Sequence, residues 1–272
     1  MAGLSISKAW DETRAILARD GKLLVSVALA LIVLPAVVLG LLAPPLASEA
    51  PPAWIQVVSM VVALLGIAGQ IAVIRLALGS RTVVGEAIAH AFKRLLPTIV
   101  AILLIAFAFA IVALPIFLLL APLESIEAAA AGRVGPEIGR AMLIVFFLLL
   151  LIGARFQLIT PVGAAEPIGP IKILQRSWAI SKGHYWRLLA FLVITLVLVL
   201  IIVLYIGQVM GAVLVGALIG KIFPFSLGAL IAGLISGLAQ GAFSVVISVM
   251  IARIYTQLAG GAIEASVPHS GH

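Results

Sequence analysis

Apolar residues run along this chain in six blocks, at about 23–42, 54–74, 96–120, 141–160, 188–209 and 229–252, and polar positions gather in the intervals between them. Each block reaches the roughly 20 residues that a helix needs to cross about 30 Å of hydrocarbon. None shows the alternation of a barrel strand, which needs only about 10 residues. The pattern predicts an all-α polytopic membrane protein, one integral domain over residues 1–272 with six transmembrane helices. Residues 1–42 are not expected to be a cleavable signal, because the apolar run is too long and no small-residue cleavage site follows it.

Shorter amphipathic stretches precede the first, third and fifth blocks. In the first, Ile6, Trp10, Thr13 and Leu17 share one helical face while Lys8, Glu12 and Arg19 lie elsewhere. Val84, Ile88, Phe92 and Leu95 repeat that spacing, and Ile171, Leu174 and Trp178 oppose Lys172 and Arg176. Such stripes predict helices lying in the cytoplasmic interface. Gly21, Pro97 and Gly183 stand near the joins, where a helix must stop or turn. Each stretch ends at a basic-Leu-Leu triplet, headed by Lys22, Arg94 or Arg187, and each pair of blocks closes on an arginine, Arg75, Arg155 or Arg253. The chain thus divides into three pseudo-repeated hairpins, at about 5–78, 80–160 and 167–258, each preceded by its interfacial helix. Units of two spans keep one orientation, so the repeat is a parallel one about the membrane normal.

Charge orients this framework. If the six blocks alternate, fourteen of the 17 Lys and Arg fall on one side, and only Arg133, Arg140 and Lys221 on the other. The positive-inside rule then places both termini in the cytoplasm. A hydrophobic share of 64% with 10% charged residues excludes a soluble globule. The net charge of +7 is concentrated at span ends without a separate basic domain, which points to anionic lipid headgroups and not to nucleic acid. Trp10, Trp178 and Trp186 fit an aromatic belt on the inner side, and Trp54 one on the outer side.

The candidate site is the arginine triad. Charge at the end of a span is costly unless it meets a partner, a wet cavity or a headgroup. Arg75, Arg155 and Arg253 therefore either snorkel to the interface, pair with Glu86 or Glu166, or converge on one anionic ligand, for which the guanidinium fork is suited. Gly233, Gly237 and Gly241, continued by Ser244 and Ser248, form a small-residue stripe suited to close helix packing within the chain or, less readily, to a homo-oligomer or another membrane protein. Gly207, Gly211, Gly216 and Gly220 carry the same signal. Inside the blocks Gln56, Gln70, Gln157, Gln208 and Gln240 are the main polar residues, and no acid stands at mid-span, which lowers an ion-coupled transporter reading.

Catalytic groups are not grouped in the sequence. His90 and His184 stand alone at the inner side, His269 and His272 lie in a polar tail, and no metalloprotease, nucleophile-elbow or paired-carboxylate pattern occurs. Cysteine is absent, so disulfides and thiolate sites are excluded. The expectation is a protein without enzymatic activity, cofactor or metal.

The stretch from Pro161 through Glu166, Gly169 and Pro170, leading into Leu174, Arg176, Ser177 and Trp178 and then Ser181, Lys182, Gly183, Trp186 and Arg187, resembles the membrane domain fused to some glycerophosphoryl diester phosphodiesterases and related stand-alone six-span bacterial proteins. Ser7, Lys8, Ala9 and Trp10 extend the likeness towards the N-terminus. The resemblance implies the six-span fold only, since the hydrolase barrel of the fused proteins is missing here. The leading expectation is a protein that binds or organises anionic lipid in the bacterial envelope. The alternatives are a transporter or flippase for an anionic amphiphile and a scaffold for membrane-protein assembly.

Overall fold

A computed structural model describes residues 4–43, 52–79, 83–130, 132–133, 135–201, 213, 216–217 and 224–266, the side chains of 130 and 261–266 excepted. Arg81, Lys221, His269, His272, Gln208, Gly207, Gly211, Gly220, the end of the fifth apolar block and most of 210–228 lie outside these residues. The described chain is helical throughout, with α1 (Ile6–Ala28), α2 (Leu34–Leu42), α3 (Ala53–Ala77), α4 (Val84–Leu120), α5 (Leu123–Ala130), α6 (Pro136–Phe156), α7 (Ile159–Ala165), α8 (Pro170–Ser181), α9 (Tyr185–Leu198) and α10 (Leu227–Ser266). Five helical segments are long and apolar enough to cross a membrane, and a sixth crossing arises if the bent pair α8 and α9 forms one span.

The first span is one helix of 37 residues, Ile6–Leu42, whose middle widens into a π turn at Leu29–Val33. Pro35 gives the reason for the wide turn. It has no N–H to donate, and its ring would crowd the preceding turn of a regular helix. The Leu34 N–H reaches back to the Leu29 carbonyl instead, which keeps the helix continuous.

Small residues set how closely the helices approach. Gly233, Gly237 and Gly241 of α10 lie against Val33, Val37 and Gly40 of the first span. A Cβ at Gly233 would stand 3.2 Å from the Val37 carbonyl oxygen, and one at Gly241 would collide with the Val33 side chain. The stripe thus packs within the chain, in the first of its two sequence-level roles. Leu24, Val27, Ala68, Ile71, Val73, Val245 and Val249 extend this contact into a core shared by α1, α3 and α10. A second core, containing Leu158, Val162, Ile173, Leu188, Met250 and Ile254, ties α7, α8 and α9 to the other end of α10.

The amphipathic stretches take two forms. In the third of them Gly183, at φ +83, ends α8 in the left-handed conformation open to glycine, and the chain turns through 107° into the next helix. In the first two stretches the helix runs through the basic-Leu-Leu triplet unbroken. Gly21 is surrounded by good helix formers, and Pro97 is absorbed inside α4. A 37-residue helix is about 55 Å long, so each extends well beyond a hydrocarbon layer.

The buried faces match the expected stripes only in part, Thr13 of the first being common to both. Ala9, Thr13 and Ile16 are buried in the first segment, Ala87, Ala91 and Thr98 in the second, and Ile173, Ser177 and Ile180 in the third. Trp10, Phe92, Ile171 and Trp178 face outwards. Bulky apolar residues dominate a hydrophobic stripe in sequence, yet smaller ones allow these segments to pack closely on their neighbours.

Candidate functional site

One end of the bundle gathers most of the charge, and a single turn of chain organises it. After α7 the sequence Glu166-Pro167-Ile168-Gly169-Pro170 cannot continue the helix, which leaves the last carbonyls of α7 without intrahelical donors. Arg94 of α4 supplies them. Its Nε donates to the Gly163 carbonyl at 2.8 Å, and its Nη2 donates to those of Glu166 at 2.6 Å and Ile168 at 2.9 Å. His90, one turn earlier, places Nε2 at 2.9 Å from the Ala164 carbonyl oxygen. A carbonyl can only accept, so the imidazole carries its proton on Nε2.

The Glu166 side chain closes the turn from the other side. Its Oε1 accepts from Arg176 Nε at 3.0 Å and from Tyr255 Oη at 2.8 Å, joining α8 and α10. Gly163 permits the close approach of α7 to α4, where any Cβ would collide with the Thr98 hydroxyl. The Pro161–Pro170 stretch is therefore a clamped joint at which α4, α7, α8 and α10 meet.

The three arginines singled out in the sequence occupy different surroundings. Arg253 donates to Glu12 Oε2 at 2.8 Å, a bond that links α10 to α1 together with the Ser5 N–H to Gln257 Oε1 bond at 3.1 Å. Arg155 lies between two aromatic rings, its Cζ 4.9 Å from the centroids of both Trp178 and Tyr185. This geometry favours a cation over the ring faces. Arg75 is half-buried in the last turn of α3. The helices carrying Arg75 and Arg253 pack on each other, whereas α6, which carries Arg155, packs chiefly on α4, α8 and α9. The carboxylates also pair differently from the expectation. Glu12 takes Arg253 and Glu166 takes Arg176, while Glu86 is exposed.

Around this network the outward surface is basic and aromatic. Lys8, Arg14, Arg19, Lys22, Lys93, Lys172 and Lys182 are exposed, beside Trp10 and Trp178, each 44% exposed, and Trp186, 75% exposed. An apolar groove of about 500 Å³ begins here. Ile6 and Trp10 close its basic end, and its walls are Phe191, Ile194 and Leu198 of α9 and Ala242, Phe243 and Val246 of α10. The groove exists because α9 packs on α6 and leaves a gap beside α10. Among the described residues no group of three or more His, Asp and Glu is gathered in metal-binding reach.

Sequence reasoning placed Arg94 only at the head of a span and treated His90 as isolated. Tyr255 was not distinguished at all, and Glu12 stood only off the apolar face of the first stretch. Proline on both sides of Glu166 was the available signal that the carbonyls before it would need outside donors.

The chain belongs to a family described as a domain of unknown function (DUF7847), whose model matches residues 4–258. No curated protein and no solved structure matches it.

Proposed function

We propose that this member of the family is a non-enzymatic protein of the bacterial inner membrane that binds anionic phospholipid at its basic end, with that end and both termini in the cytoplasm. The observation that carries the reading is a division of labour among the charges. Arg94, Arg155, Arg176 and Arg253 are engaged by the protein itself, while lysines on the segments of the same end are exposed and Trp10 lines the end of an apolar groove. Lysines near an anionic surface contribute about 1 kcal/mol each. Tryptophan suits the headgroup level, and the groove offers an acyl chain a surface complementary to its own.

Native mass spectrometry of the purified protein tests this. Replacement of Lys8, Lys93, Lys172 and Lys182 by Gln is expected to lower the ratio of anionic to zwitterionic lipid retained, and Ala242→Phe is expected to lower total retention by filling the groove. An unchanged ratio in the four-lysine variant, with normal folding, would overturn the proposal. Movement of an anionic amphiphile between leaflets is the second reading, supported by a groove that runs from the interface along both α9 and α10. A scaffold role has less to stand on, because the glycine stripe that would serve as its docking face is occupied by Val33 and Val37.

A further inference from the structure

A second cavity, of about 490 Å³, lies towards the end of the bundle opposite the basic one, between α2, α3 and α10. Its rim includes Ala43, the residue that ends α2, and Ser59, in the second turn of α3. From Ser59 the lining descends α3 through Gly66 to Gln70, eleven residues and thus about 17 Å deeper into the bundle. Gln240 and Ser236 face the same space from α10.

Three features set this cavity apart from a packing defect. Small residues on facing helices, Ala36, Ala63 and Gly66 among them, leave the volume open, and a Cβ placed at Gly66 would meet nothing within 4 Å. The Gln70 and Gln240 carboxamides are exposed and hydrogen-bond to no described residue, although both stand well inside helices that are long and apolar enough to cross a membrane. A polar group held at that depth without a partner is costly unless water or a ligand meets it. Ser59 and Ser236 donate to backbone carbonyls of their own helices, at 2.8 Å to Ile55 and 2.9 Å to Ala232, which leaves their oxygens free to accept.

The lining also states what would bind. Among the described residues no Lys, Arg, His, Asp or Glu borders the cavity, so an ion would meet no countercharge from them. Each carboxamide presents a donor and an acceptor side by side, and a hydroxyl is both donor and acceptor. We propose that this cavity is a binding site for an uncharged, hydroxyl-rich group, a free sugar or polyol or the neutral sugar headgroup of a lipid, held by Gln70 and Gln240 with the serine hydroxyls as further acceptors. The site is separate from the basic end, and neither depends on the other.

The chain contains no cysteine, so one introduced thiol can be followed alone. Gly66→Cys places it in open space, and Val61→Cys, 48% exposed on the same helix and outside the cavity lining, serves as the lipid-facing reference. In nanodiscs, hydroxyethyl methanethiosulfonate is expected to label Gly66→Cys well above the reference, because only a thiol in contact with water ionises and reacts. Labelling is then measured with glucose in solution, or with monoglucosyl diacylglycerol in the nanodisc. Slowing by glucose assigns a free polyol, and slowing by the glycolipid alone assigns a headgroup. Adding Gln70→Leu and Gln240→Leu, singly and together, is expected to preserve labelling and remove the protection, with roughly tenfold weaker binding for two lost neutral hydrogen bonds. Labelling no faster than at Val61→Cys, absence of protection in both arms, or protection that survives both leucines would each overturn the proposal.

Discussion

Removing the Arg94 guanidinium should open the joint that holds four helices together. In Arg94→Met the apolar stem is kept and three donors are lost, those directed to the carbonyls of Gly163, Glu166 and Ile168. Gly163 is buried, so its carbonyl loses a partner that water does not readily replace; the half-buried residues Glu166 and Ile168 can recruit solvent. Taking about 2 kcal/mol for the buried acceptor and about 1 kcal/mol for each of the other two gives a destabilisation near 4 kcal/mol. Arg94→Lys keeps the charge but presents a compact ammonium in place of a planar fork, and should recover only part of the loss. The neighbouring exposed Lys93, replaced by Met, should change stability by less than about 0.5 kcal/mol. Reversible unfolding in mixed micelles measures all three, and hydrogen exchange over residues 163–170 locates the effect. Equal stability of Arg94→Met and Lys93→Met would refute the reasoning, and full recovery by Arg94→Lys would show that charge alone, and not the fork, holds the turn.

Gly241→Leu should cost about 3 kcal/mol or more by driving a side chain into Val33, whereas Gly260→Ala, with open space around it, should be nearly neutral in the same unfolding assay. A double-mutant cycle of Glu12→Gln and Arg253→Gln should return a coupling of about 1–3 kcal/mol, and a value near zero would mean that the pair does not join α1 to α10. Reporter fusions at residues 85 and 170 should lie in the cytoplasm and one at residue 130 outside it; a reproducible inversion would reverse the assignment of the basic end.

The long elements were legible because hydropathy over about 20 residues depends on composition more than on packing partners. The glycine stripe was legible for a related reason: four-residue spacing aligns small residues on one face whatever that face meets. The joint at Glu166 was not, since Arg94, His90, Arg176 and Tyr255 come from three other helices and only the fold brings them to one turn. The amphipathic stretches show a further limit. Their bulky stripe was visible, but Ala9, Ala87 and Ser177 form much of the contact, and small or weakly polar residues add little to a hydrophobic pattern. The arginines at the span ends were visible as a repetition, yet one meets a carboxylate and another two aromatic rings. Similar places in sequence were filled by different local chemistry.

The proposed lipid preference of the basic end is tested most directly by two single-tryptophan proteins, with the remaining tryptophans replaced by Phe, that retain either Trp10 at the mouth of the groove or Trp54 at the start of α3. Quenching by brominated phosphatidylglycerol is compared with quenching by brominated phosphatidylcholine in otherwise identical vesicles, at low and high salt. Trp10 should report preferential contact with the anionic lipid, weakened by salt, and Trp54 should report little preference. Equal quenching of Trp10 by the two lipids at low salt, or the same anionic preference at Trp54, would contradict the account.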